Sequence, residues 1–173
     1  RLRIIFYNFP KLSGYNFSVK ILQDLKRRFG DIATGIKDSS GDWENMLNVA
    51  QNVPDFMVYA GTETFLLEIL REGGVGCISA TANLTAPECQ RVFQAWKNNK
   101  QNVAEQAQMN LTDLRKTLEN YPLVSELKSL FASQAKSIEW GNMLPPFAPI
   151  LDKQVEELTE QIKGLGLDLS QRL

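Results

Sequence analysis

The 173-residue chain contains no histidine. That absence removes Ser-His-Asp and Cys-His triads, His-Glu-x-x-His metalloproteases and histidine-ligated zinc in one step. Acid–base chemistry must come from Lys, Tyr, Asp or Glu. Cysteine is scarce: Cys77 and Cys89 are too few for a disulfide framework. Cys77 also falls in an apolar strand pattern, where a buried free thiol is ordinary. An excess of one charge is lacking too. Nineteen Lys+Arg against 20 Asp+Glu leave a net charge of −1, and no charged block marks a nucleic-acid or membrane-surface partner. The apolar runs fall short of the roughly 20 residues that cross a bilayer, and the N-terminal stretch lacks the order of a signal peptide. The chain therefore reads as soluble and cytoplasmic. It opens without methionine, directly into the strand-like run Arg-Leu-Arg-Ile-Ile-Phe-Tyr-Asn-Phe-Pro, as a segment cut from something longer would.

What is present is an alternation. For roughly the first hundred residues, strand-like runs alternate with helical ones, the pattern of βα units on a parallel sheet. Four units are expected. The first strand, RIIFYNFP, leads to a helix from Ser18 to Phe29 with Ser18 as N-cap, Gly30 as stop, and Ile21, Leu22, Leu25 and Phe29 on one face. The second, IATGIK, leads to a helix through WENMLNVAQ, and the third, FMVYAG, to one through TFLLEILREGG. The fourth, VGCISATANL, precedes a helix with Pro87 in its first turn. Beyond about Gln101 only helices are expected, with NMLPPFAPI as a stiff connector. The whole of residues 1–173 reads as one domain, with strands and helices over 1–100 and helices alone over 101–173.

In a parallel βα sheet the C-terminal strand ends share one side, and reacting groups gather there. These ends offer Tyr7, Lys37, Gly61 and the segment Ile78 to Asn83. Alternation predicts that Lys37 faces with Gly35 and Ala33, while Ile36, Thr34 and Ile32 face the helices. A lysine in a water-poor mouth has its charged form disfavoured, and the neutral amine can attack a carbonyl carbon. With no histidine, Tyr7 is the best-placed hydroxyl to move the protons. A strand-end lysine is more often a surface charge or salt-bridge partner and a strand-end tyrosine is usually rim packing, so pattern alone favours that reading over catalysis.

The order FYNFPKLSG, GIKDSSGD, YAGTE, GGVGCISATAN and LPPFAPI resembles the dihydrodipicolinate synthase and N-acetylneuraminate lyase family over nearly the whole chain. The resemblance implies a (β/α)8 TIM barrel, here its last four βα units plus a C-terminal helical extension. It implies a Schiff base between Lys37 and pyruvate or another 2-oxo acid, with Tyr7 transferring protons and no metal or organic cofactor. Ser39, Gly61, Glu63 and Ala80 would line the substrate pocket, and Ile78 would contribute a backbone carbonyl. The partners implied are pyruvate, an aldehyde and further copies of the chain, as a dimer or tetramer. The resemblance also places a Gly-x-Thr-Thr-Gly-Glu motif and a second tyrosine in four earlier βα units that these residues do not include.

Leu12 departs from the family's dihydrodipicolinate synthases, which carry an arginine two residues after the Tyr-Asn-x-Pro proline. Leucine there resembles the sialic-acid lyase and 2-keto-3-deoxy-sugar-acid aldolase branches, so sugar-acid cleavage is the expected activity. 4-Hydroxy-tetrahydrodipicolinate synthase and 2-keto-sugar-acid dehydratase are the alternatives, and a non-catalytic half-barrel assembly module is the rival of another class. Ser39-Ser40-Gly41-Asp42 reads first as a capping box for the next helix, and Glu63 as a favourable charge at a helix start.

Overall fold

The computed structural model describes residues 2–171. Apolar and β-branched residues build β1 (Ile4–Asn8), and Pro10 at the favoured first position opens a short helix, α1 (Pro10–Ser13). Ser18 then caps α2 (Val19–Phe29): its hydroxyl accepts the Ile21 N–H at 3.4 Å, and Gly30 closes the helix at φ +51°. The chain continues through β2 (Ala33–Asp38), α3 (Trp43–Asn52), β3 (Met57–Ala60), a 3-10 turn at Glu63–Phe65, α4 (Leu66–Arg71) and β4 (Gly76–Cys77). Four strands form one parallel sheet in the order β1-β2-β3-β4. The helices α5 (Ala82–Lys97), α6 (Gln101–Thr117), α7 (Leu123–Ala135) and α8 (Asp152–Gly164) follow.

The chain groups into two compact units, Arg1–Ser79 with Gln90–Gln108, and Ala80–Cys89 with Met109–Leu173. In the first unit one face of the sheet is dry. Ile36 and Val58 from the strands meet Leu22 of α2, Met46 and Val49 of α3, and Ile69 of α4 in a continuous core. Each such side chain contributes about 1.5–3 kcal/mol by leaving water. Phe6 packs against this core and against the rings of Phe17 and Phe56. The other face, with Ile5, Tyr7, Lys37 and Tyr59, stays partly open.

Several expectations are corrected. Ala33 joins Ile36 in the core instead of sharing the face of Lys37. The cause is a bulge: Ile4 pairs with Ala33 but Ile5 with Gly35, so Thr34 is an extra residue that shifts the alternation by one. Ile32 lies in a 3-10 turn before the strand. Of the four apolar residues of α2 only Leu22 is buried; Ile21 and Phe29 are exposed, because β1 pairs with β2 alone among the described residues and nothing there covers that flank. β4 is two residues long, since the Thr81 carbonyl already accepts the Leu84 and Thr85 N–H groups at 2.8 and 2.9 Å and starts α5 at Ala82. Pro87 consequently sits one turn inside α5, leaving the carbonyl of exposed Asn83 without its helical partner. The cap of α3 is Asp42, whose carboxylate accepts the Asn45 N–H at 3.1 Å, and not Ser39.

The second unit is built on leucines, Leu84, Leu114, Leu118, Leu130, Leu158 and Leu167 among them. Into this core α7 inserts Glu126, fully buried. One carboxylate oxygen accepts the Tyr121 N–H at 3.2 Å, and the other has no hydrogen-bond partner among the described residues. Burial pushes this carboxyl from the ordinary 4.5 up to about 7, against the opposing pull of the Tyr121 N–H and Arg115. A raised folded-state value means that folding takes up a proton between these limits, so stability falls as pH rises from about 4.5 through 7. Glu126→Gln should therefore stabilise the protein by about 2 kcal/mol at pH 8 and by little at pH 5. Thermal melting of both proteins at the two pH values reads this difference, and an equal gain at both would refute it.

Candidate active site

Parallel pairing of β1 and β2 puts Tyr7 opposite Lys37, and pairing of β2 and β3 puts Lys37 opposite Tyr59. One rung of the sheet thus reads Tyr-Lys-Tyr, with the lysine in the middle. The Lys37 ammonium nitrogen lies 4.1 Å from the centroid of the Tyr7 ring. A cation over an aromatic face is attracted by about 0.5–1 kcal/mol when exposed and more when dry. Half-buried Lys37 has no carboxylate partner among the described residues, so the ring holds the amine without a salt bridge. The phenol oxygen is carried by the same ring that holds the amine.

The next rung is polar. Asn8 pairs with Asp38, and both are buried. Asn8 Nδ2 donates to Asp38 Oδ2 at 3.0 Å and to Asn16 Oδ1 at 2.7 Å, while Asn8 Oδ1 accepts the Phe17 N–H at 3.1 Å. Asp38 Oδ2 also accepts Asn45 Nδ2 at 3.0 Å, and Asp38 Oδ1 accepts the N–H of Ser40 at 2.8 Å and its hydroxyl. This network joins the ends of β1 and β2, the loop after α1 and the start of α3. Sequence reasoning passed over Asp38 and Tyr59. The separation of 30 residues that relates Tyr7 to Lys37 also relates Asn8 to Asp38, which was the available signal.

Ser39 follows directly, its N–H donating to the Asn8 carbonyl at 2.8 Å. Gly61 closes against it: the Gly61 N–H donates to the Asp38 carbonyl at 2.7 Å, and a Cβ at position 61 would fall 2.2 Å from Ser39 Oγ and 2.5 Å from the Asp38 carbonyl oxygen. Only glycine permits this approach. Ile78 extends the ladder by donating its N–H to the Ala60 carbonyl at 2.9 Å, and its side chain is exposed. Glu63 opens the 3-10 turn after β3 and is fully buried, so its side chain offers no exposed surface. Tyr7, Lys37, Ser39 and Gly61 thus gather at the C-terminal ends of β1, β2 and β3. Ala80 belongs to the second unit, where its carbonyl accepts the backbone N–H and side-chain amide of Asn83 at 3.2 and 2.8 Å. Leu12, in α1, is 81% exposed. Among the described residues no cluster of three or more Cys, Asp or Glu could hold a metal ion, and no helix is long and apolar enough to cross a membrane.

Known proteins resemble this chain in sequence and in fold. A 4-hydroxy-tetrahydrodipicolinate synthase of Methanococcoides burtonii is 27% identical over 165 residues, covering 94% of this chain and 55% of the relative. One of Methanopyrus kandleri is 29% identical over 167 residues, covering 95% and 54%. The chain thus spans about half the length of the curated relatives it matches. The crystal structure of YagE, a prophage protein of the dihydrodipicolinic acid synthase family from E. coli K12 in complex with pyruvate, superimposes with a TM-score of 0.85 at 24% identity, covering 96% of this chain and 57% of that one. The likeness to it is one of fold, the four-stranded parallel α/β sheet and its helices. The profile of the Dihydrodipicolinate synthetase family matches residues 1–165, and the chain belongs to that family.

Proposed function

We propose that this chain carries the catalytic lysine of a lyase that condenses or cleaves pyruvate, or a related 2-oxo acid, with an aldehyde. Lys37 Nζ attacks the ketone carbon, and the resulting carbinolamine loses water to give an iminium. The iminium withdraws electrons from the neighbouring carbon, which loses a proton to form an enamine, and the enamine carbon makes the new bond to the aldehyde. Tyr7 moves protons to and from the carbinolamine oxygen. Family chemistry of this kind runs through the lysine and needs no cofactor. The observation that carries the reading is the Lys37 amine at 4.1 Å over the Tyr7 ring, at the strand ends and without a carboxylate partner among the described residues.

The four βα units supply half of a barrel's strands, and we propose that four more complete it along the flank where Ile4, Ile5, Ile21 and Phe29 are exposed. For the second substrate, the names of the relatives support 4-hydroxy-tetrahydrodipicolinate synthase better than sugar-acid cleavage, which rests on Leu12 alone. A dehydratase of 2-keto sugar acids would share the same iminium. Domain organisation is proposed as one functional domain, with the pocket lined by Ser39, Gly61 and Ile78, the fully buried Glu63 side chain having no surface to offer it.

Incubating the encoded protein with pyruvate, reducing with borohydride and weighing it should give a stable adduct that maps to the peptide containing Lys37. Lys37→Ala should give none, and no adduct on the wild type favours a non-catalytic assembly module. Tyr7→Phe should still form the adduct but turn over about 10²–10⁴ times more slowly, read by steady-state assay. Turnover with aspartate semialdehyde should exceed that with a 2-keto-3-deoxy sugar acid, measured on the same preparation, and the reverse order would restore the reading drawn from Leu12.

A further inference from the structure

We propose that Asp38 is the positioning residue of the lysine–tyrosine pair, acting through a cross-strand clamp with Asn8; the inference rests on Lys37 being the condensing amine. Alternation sends the side chains of Asn8 and Asp38 to the helix-packed face, opposite Tyr7 and Lys37. Parallel ladders are slanted and slightly less stable per residue than antiparallel ones, and the buried face sets which side chains point inward. Here the last rung is locked by side chains. The Asp38 carboxylate collects four donors, from Asn8, Asn45 and twice from Ser40, and each donor belongs to a segment that ends at the site. Asn8 is saturated in the same way, with two amide protons given and one accepted.

Two consequences follow for the amine. First, the clamp fixes the Cα positions next to Tyr7 and Lys37, and so the height of Nζ over the ring. Second, it occupies the carboxylate that directly follows Lys37 in the chain with neutral donors on the far face. Asp38 is thereby kept from swinging round to Lys37, and the amine keeps the Tyr7 ring as its contact.

The chemistry of the clamp makes it testable by exchange. In Asp38→Asn the single amide oxygen can serve either Asn8 and Asn45 or the Ser40 N–H, so an NH2 group is set against an N–H donor on the other side, and the Asn8 amide cannot rotate to relieve it because its oxygen is held by the Phe17 N–H. Two donors then oppose each other. The double variant Asn8→Asp/Asp38→Asn reverses the polarity of the pair: Asp at 8 keeps the Phe17 N–H and accepts from Asn at 38, and the Asn16 and Asn45 amides rotate to match. We expect Asp38→Asn, in the encoded protein, to form the borohydride-trapped pyruvate adduct at least tenfold more slowly at saturating pyruvate, with KM changed less than threefold. The exchanged pair should recover to within threefold of wild type, with rates normalised to the folded fraction from thermal melts. Wild-type trapping rates in Asp38→Asn, or no recovery in a folded exchanged pair, would overturn the proposal.

A readout without pyruvate separates this inference from the lyase reading. Acetic anhydride labelling of Lys37, relative to exposed Lys20, should change at least threefold in Asp38→Asn and return in the exchanged pair. If the wild type traps no pyruvate the lyase reading fails, and an unchanged Lys37 labelling ratio then overturns the clamp as well. Should either variant fail to fold, Asn45→Ala removes one donor and leaves the strands paired. A labelling ratio within experimental error of wild type in that variant overturns the proposal.

Discussion

The in-register pairing of β1 with β2 is the constraint on which the remaining features depend. A βα unit of 30 residues returns the chain to its starting height, so that Tyr7 lies beside Lys37 and Asn8 beside Asp38. The first rung puts an amine over a ring on the open face, and the second packs amides around a carboxylate on the closed face. Neither rung works without the other's register. A parallel sheet covered on one face by α2, α3 and α4 supplies the rigidity, because Ile36 and Val58 have no freedom within a packed core.

Two buried carboxylates show how differently one protein can treat the same group. Asp38 meets four donors and ties together the segments that bring them. Glu126 meets one backbone N–H inside a leucine-rich core, and burial raises its proton affinity. In the first unit the carboxylate organises its surroundings. In the second it is tolerated by them.

Much of this was legible in the residues. The alternation of strand and helix, the Ser18 cap and Gly30 stop of α2, and the pairing of Tyr7 with Lys37 all follow from local pattern and motif. What escaped has physical reasons. A bulge at Thr34 leaves no local signature, since any residue can be the extra one, yet it moves Ala33 across the sheet. The apolar positions of α2 announce a buried face, but periodicity says nothing of whether the covering element lies in the same residues, and Ile21 and Phe29 are exposed. β4 was overextended because Ile78 to Leu84 are apolar enough for a strand, while the hydrogen bonds to Thr81 decide for a helix. Asp38 was passed over because its four donors come from segments far apart in sequence order or hidden in turns.

Two glycines, Gly35 within β2 and Gly61 just after β3, carry a different kind of consequence. A Cβ at Gly35 would fall 2.3 Å from the Met57 carbonyl oxygen, and one at Gly61 would run into the backbone of Asp38 and Ser39. At both positions the obstacle is main chain, which cannot rotate aside as a rotamer can. Mutational drift is therefore closed off there whatever the pressure on the protein. Any divergence in what the molecule accepts has to be written into the mobile vocabulary of loops and outward side chains, such as that of Leu12, while the inner wall stays the same.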